Sequence, residues 1–417
     1  MRSLMAIALP RRARRLWALW RAEQRTLRQG FVALALSTAA SFVAGLTLSR
    51  ITGTLNELPG LLVLIPAAVG MRGTIFGAIG ARLGTATHAG MFEANLKRGG
   101  VLAQNVEVAV VTTFLSSLWL AVLAKLAAAA FGETSISVWD LVTISVVGGA
   151  LGSVFILLVT VGLSVLSYRR GYDLDAVSTP IVTAVADMTT VPMIFAVSFI
   201  VRLHALSLSL AIVSIVIGVY AAIRGALTDL RQARRILFEM ILVILLTPLL
   251  DILAGTVVEA RLEQFVAFPG LLVLVPPFVA GAGSLGGILC SRLSSKLHLG
   301  LVGTGALPDR AALPDAGLTM SFSVVVFALT GTLGLGFSVL ASKAYPGAST
   351  MVFGTLVAGL VATGIAIVFS YYIAILTSRR GLDPDNHSVP IITSVMDLVG
   401  VLTFLAVFSV FGVALHG

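Results

Sequence analysis

The chain has 417 residues, 58% of them hydrophobic and only 11% charged, with a mean hydropathy of +1.02, and its many apolar runs are long enough to cross a bilayer. It therefore reads as a polytopic membrane protein. The formal charge of +9 does not mark a nucleic-acid binder, because the Lys and Arg sit between hydrophobic spans, and the single cysteine, Cys290, excludes a disulfide framework or a cysteine-rich metal centre.

Residues 1–30 form a basic tail, with Arg11, Arg12, Arg14, Arg15, Arg21, Arg25 and Arg28 interleaved with Trp17 and Trp20. Such a tail either sets topology or lies as a helix on an anionic membrane surface. A cleaved signal peptide is not expected, since the first apolar run, 31–49, exceeds a usual signal core and has a counterpart in the second half. Further spans are read near 59–82, 104–131, 140–168 and 177–201, then an unpaired span near 206–223. A second set follows near 236–258, 269–292, 317–342, 350–376 and 388–414. The fold class expected is thus an all-α polytopic membrane protein of about eleven helices. Residues 31–201 make a first five-helix repeat, 202–235 a linker helix and loop, and 236–417 a second five-helix repeat.

Placing the N-terminus in the cytoplasm collects most of the Lys and Arg inside, leaving Arg50, Lys125, Arg202, Arg261 and Lys343 outside and Arg72 within a span. The sixth crossing returns the chain to the cytoplasm, so both repeats run the same way, related by a pseudo-two-fold axis along the membrane normal. The expected molecule is a monomer acting as a pseudo-dimer, in the plasma membrane with a cytoplasmic N-terminus.

One stretch occurs twice. RRGYDLDAVSTPIVTAVADM begins at Arg169, and RRGLDPDNHSVPIITSVMD begins at Arg379, every key position being displaced by about 210 residues. A helix starting near Val177 carries Asp187 about 15 Å in, close to the middle of a hydrocarbon core about 30 Å thick. The repeat lets Asp187 and Asp397 face each other across one path, where two carboxylates attract a divalent cation. Thr183 and Thr393 lie one turn earlier on the same faces and offer further oxygens. Asp173, Asp175, Asp383 and Asp385 stand at the cytoplasmic mouth, as ion ligands or as a solvated turn and helix cap. The competing reading of Asp187 and Asp397 is a structural pairing with a basic group such as Arg72.

The second span repeats too, as PGLLVLIPAAVGMRGTIFGAIG from Pro59 and PGLLVLVPPFVAGAGSLGGILC from Pro269. Pro66, Gly70 and Gly73, with Pro276, Pro277, Gly281 and Gly283, loosen the helix and leave carbonyls unpaired near the midplane, as in the broken helices of transporters. Gly70, Gly73, Thr74, Gly281, Gly283 and Ser284 are then the expected path-lining set; the alternative is that the glycines serve tight packing and the prolines only kink. Asp251 stands where the first copy has Ser41, so it reads as a coupling site for H⁺ or Na⁺ or as a group near the outer end of its helix. Arg72, matched by Ala282, faces Asp or backbone carbonyls, or snorkels. His88 and His298 read as loop histidines, and Glu93 and Glu107 as loop or mouth contacts. All-oxygen ligation suits Mg²⁺, which keeps several waters, without excluding Mn²⁺ or Co²⁺.

At these motifs, over residues 31–417, the chain resembles the MgtE-type divalent cation transporters, specifically the two-repeat branch that includes eukaryotic solute-carrier relatives. The resemblance implies a central Mg²⁺ path and an ion-binding aspartate on the fifth helix, which falls here on Asp187 and Asp397. Where that family has Gly-Asn in the second span, the Asn position holds Thr74 in one copy and Ser284 in the other. The soluble regulatory domains of bacterial members find no room in the chain, so gating by them is not expected. The expected function is Mg²⁺ transport without enzymatic activity or cofactor, Mg²⁺ being the cargo. The alternatives are an H⁺- or Na⁺-coupled carrier for Mn²⁺, Co²⁺ or another small solute, and a membrane scaffold. An intramembrane enzyme is disfavoured, because no nucleophile and base pair is recognisable.

Overall fold

The computed structural model describes residues 24–88, 90–93, 95–97, 99–170, 174–298, 300–303, 305, 310–381 and 387–413. Every regular element among them is helical. This is the outcome hydrocarbon imposes, since a backbone without water must satisfy its own hydrogen bonds.

The membrane helices in chain order are α1 (Gln24–Arg50), α2 (Leu61–His88), α3 (Val101–Phe131), α4 (Gly149–Arg170), α5 (Leu174–Ser198) and α6 (His204–Ala226). Then come α7 (Arg231–Glu259), α8 (Pro269–His298), α9 (Leu313–Leu340), α10 (Thr355–Arg379) and α11 (Ser388–Val410). Helices α2 to α11 are each long and apolar enough to span a bilayer, while α1 contributes a shorter apolar stretch, Leu34–Arg50. Among the described residues ten helices are therefore of spanning length, against the eleven or so expected. Boundaries moved where the stop signal was misplaced: α2 and α8 run on to His88 and His298, because their terminating glycines are Gly90 and Gly300, which hold φ of 68° and 67°. There Met91 and Leu301 donate back to Ala86 and Lys296, each at 2.9 Å, closing left-handed caps that glycine adopts without strain.

The repeat is visible in the details. Short helices, Thr52–Glu57 and Leu262–Ala267, precede α2 and α8, and π-helical turns, Ile144–Gly148 and Thr350–Gly354, lead into α4 and α10. Within each half the second helix packs on the fifth, α2 on α5 and α8 on α11. The first helices cross over: α1 lies between its own α5 and α8 of the other half, and α7 lies between α11 and α2. The two halves therefore interlock around a core of α1, α2, α5, α7, α8 and α11. Helix α6 leans on α3 and on the entry to α4, with much of its other face uncovered, as befits a connecting span against lipid.

The prolines do not break their helices. Helix α2 runs unbroken through Pro66, and α8 through Pro276 and Pro277, contrary to the expected interruption. Each proline lacks the N–H that would bond four residues back, which releases Leu62, Leu272 and Val273 carbonyls. The structure covers two of these, those of Leu62 and Val273, with glycine. A Cβ on Gly255 of α7 would meet the Leu62 carbonyl at 2.8 Å, and one on Gly45 of α1 would overlap the Val273 carbonyl. Bare Cα–H groups of the crossing helices thus face the freed oxygens, and the chain tolerates the prolines because the other half seals them.

Candidate ion site

Three carboxylates converge in the interlocked core. Asp187 on α5 is buried, and Ser41 on α1 donates a hydrogen bond to its Oδ2. Asp397 on α11 is half-buried. Asp251 on α7 is fully buried, its nearest polar neighbours being Ser394 and Asp397, and neither of its oxygens has a hydrogen bond of ordinary geometry. Gly70 on α2 faces this pair: a Cβ there would lie 3.0 Å from Asp251 Oδ2 and 3.2 Å from Asp397 Oδ2.

The arrangement follows from the crossover. The first helix of each half lies against its own fifth helix, so position 41 meets Asp187 as position 251 meets Asp397. Among the described residues no three of His, Cys, Asp and Glu gather tightly enough to chelate one bare ion.

Other expected site residues fall as follows. Thr183 and Thr393 face the second-helix glycines: Cβ atoms on Gly73 and Gly283 would meet their Cγ2 atoms at 3.6 and 3.4 Å. Thr393 Oγ1 donates to the Val389 carbonyl at 2.7 Å, which leaves its lone pairs as acceptors. Thr74 and Ser284 are half-buried. Gly281 is turned away from the carboxylates, toward Val326 and Phe327 on α9, because two residues on from it the α11-facing Gly283 lies a little over half a turn away, on nearly the opposite face. Asp173, Asp383 and Asp385 lie outside the described residues, as does the side chain of Asp175, whose backbone belongs to the first turn of α5. The side chains of His88 and His298 lie outside them as well. Glu93 accepts from the Asn95 amide at 2.9 Å, and Glu107 accepts from Thr228 at 3.3 Å, with Arg224 3.9 Å away.

Arg72 is no partner of the carboxylates. It is buried against α3 and the π-helical entry to α4, where its guanidinium donates to the carbonyls of Ala68, Ser145 and Gly149 and to Ser117 Oγ. A π turn spreads its carbonyls, and the guanidinium fork reaches them. Toward the Arg379 end of the second half, Asp315 binds Arg292 at 3.0 Å and Lys296 at 2.5 Å, where the first half has Asn105 bound to Arg82 at 3.1 Å.

Sequence reasoning missed Ser41 and Ser394 as neighbours of the carboxylates. The signal was present in the repeat itself: Ser41 stands at the position of Asp251, and one helix position cannot face the fifth helix in one half and not in the other.

Comparisons with known proteins point to one family. The family profile MgtE, described as a divalent cation transporter, matches residues 65–197 and again 275–407, most of both halves. Solute carrier family 41 member 3 of Rattus norvegicus is 24% identical over 399 residues, covering 88% of this chain and 84% of its own length. Solute carrier family 41 member 2 of Xenopus laevis is 23% identical over 417 residues, covering 92% and 73% respectively. The human member 2 is 23% identical, covering 83% of this chain and 63% of its own length.

Proposed function

We propose, from the premise that this chain belongs to the MgtE family of divalent cation transporters, that it carries Mg²⁺ across the membrane between its two halves, with Asp187 and Asp397 binding the ion. What supports this reading is that the two repeat-related carboxylates, one from α5 and one from α11, both lie in the interlocked core, where α2 sets Gly70 against Asp397 and Gly73 against Thr183, one turn from Asp187. Two carboxylates in one low-dielectric core repel each other, and a divalent cation between them removes that cost. Aliphatic helices alone give no reason to keep them there.

The ligands are oxygens only, which favours Mg²⁺ with retained waters over ions that prefer nitrogen or sulfur. Thr183 and Thr393 supply further oxygens on the same two helices. The mouth of the path lies at the Arg169 and Arg379 ends of α4 and α10, facing the cytoplasm together with the N-terminus. One chain suffices, since it carries both walls.

The test is uptake of Mg²⁺, Mn²⁺ and Co²⁺ into vesicles containing the purified full chain. Asp187→Asn and Asp397→Asn are each expected to reduce Mg²⁺ uptake at least tenfold, about 1.4 kcal/mol or more of lost ion stabilisation, while the protein stays monodisperse in detergent. Undiminished uptake in both variants would overturn the assignment.

A further inference from the structure

We infer that the path holds its cation off-centre, at a site made by Asp251 and Asp397 with Ser394 and kept open by Gly70 of the opposite half. This rests on the transport reading above and gives its site a sidedness that the repeat alone would not.

Three repeat-related positions around the carboxylates differ between the halves, and all three differ in the same sense. Ser41, Ala184 and Ala280 of one set correspond to Asp251, Ser394 and Gly70 of the other, each pair displaced by about 210 residues. Beside Asp187 the neighbouring helix offers a hydroxyl, and Ser41 donates to it. Beside Asp397 the neighbouring helix offers a second carboxylate, which has no proton to give when ionised. Asp187 therefore has a donor on the neighbouring first helix, and Asp397 has a second carboxylate there instead.

Asp251 shows the deficit directly. Its exposure is 0%, and neither of its oxygens makes a hydrogen bond of ordinary geometry although Ser394 and Asp397 are its neighbours, a costly state for a buried carboxylate. Its Oδ2 and that of Asp397 point at the same spot beside Gly70. That spot is free only because residue 70 has no Cβ, and its repeat counterpart, which faces no such pair, is Ala280. Two carboxylates and one divalent cation are together neutral, whereas the lone Asp187 would leave such an ion half-compensated. Ser394 adds a hydroxyl oxygen, and Asp187 contributes attraction from across the core.

The experiment is the concentration dependence of Mg²⁺ and Mn²⁺ uptake in vesicles for the full-length chain and its variants. Asp251→Asn and Asp251→Ser are expected to raise the half-saturating concentration about tenfold or more. Gly70→Ala, which keeps every carboxylate, should shift it the same way. The relocated set S41D/D251S/A280G, which rebuilds the pair beside Asp187, should recover affinity relative to Asp251→Ser.

An Asn at 251 can still hydrogen-bond Asp397, so unchanged half-saturation in both Asp251 variants, with uptake lost in Asp397→Asn, would mean that Asp251 only supports its neighbour and would overturn the inference while leaving the path. Loss of no uptake in Asp187→Asn and Asp397→Asn would instead remove the transport reading itself. If the Asp251 variants do not fold, Mn²⁺ binding to detergent-solubilised wild type and Gly70→Ala, followed by electron paramagnetic resonance, decides the matter: weaker binding in Gly70→Ala is expected, and equal binding would contradict the site.

Discussion

Arg72 shows how one residue in hydrocarbon can be structural rather than part of the path. The slot that its guanidinium fills in the first half is filled in the second by aromatic rings. Ala68, Arg72 and Ser117 correspond to Phe278, Ala282 and Phe327, and the Phe278 and Phe327 rings lie 5.0 Å apart. Gly149 and Gly359 make room in the two cases, for the guanidinium and for the Phe327 ring. Arg72→Ala is expected to cost about 3 kcal/mol in a detergent thermal melt, since it leaves a void and carbonyls without their donor. The transplant A68F/R72A/S117F should recover much of that loss and still take up Mg²⁺; a folded transplant with no uptake would put Arg72 in the path. Sequence alone left three environments open for Arg72, because choosing among them requires knowing that Ser117 and the π turn at Ser145 come together around it. Asp187 and Asp397 were legible because a carboxylate mid-span is rare and here occurs twice.

Among the helices, the crossing of α1 and α7 does most to join the halves. Their closest approaches use Gly45 and Gly255, whose Cα atoms lie against the backbone of α8 and α2, and backbone cannot swing aside as a side chain can. Gly45→Ala and Gly255→Ala should each destabilise the fold by about 2 kcal/mol or more, read as a lower melting temperature and loss of the monodisperse peak, with the double variant the worst. A tolerated Gly45→Ala would show that the halves are less tightly interlocked. The all-helical class and the order of the helices could be read from apolar length. The crossover could not, because each helix is apolar nearly all round and periodicity says nothing about which neighbour it meets. For the same reason the prolines suggested broken helices: the glycines that cover their released carbonyls sit on helices of the opposite half.

At the scale of the whole molecule the chain is two interlocked repeats that have diverged beside their mid-span carboxylates. Duplication within one chain frees each copy of a site to change alone, and Ser41 against Asp251 is such a change. The central claim is that α5 and α11 present Asp187 and Asp397 to one shared passage. Its most direct measurement replaces both with cysteine in a Cys290→Ser background and follows alkylation of the two thiols by mass spectrometry, with and without Cd²⁺. The thiols of D187C/D397C should be protected together by Cd²⁺ at concentrations that leave each single variant reactive, because one soft ion bridges both. Thiols that react independently of Cd²⁺ and of each other in the double variant would contradict the shared passage.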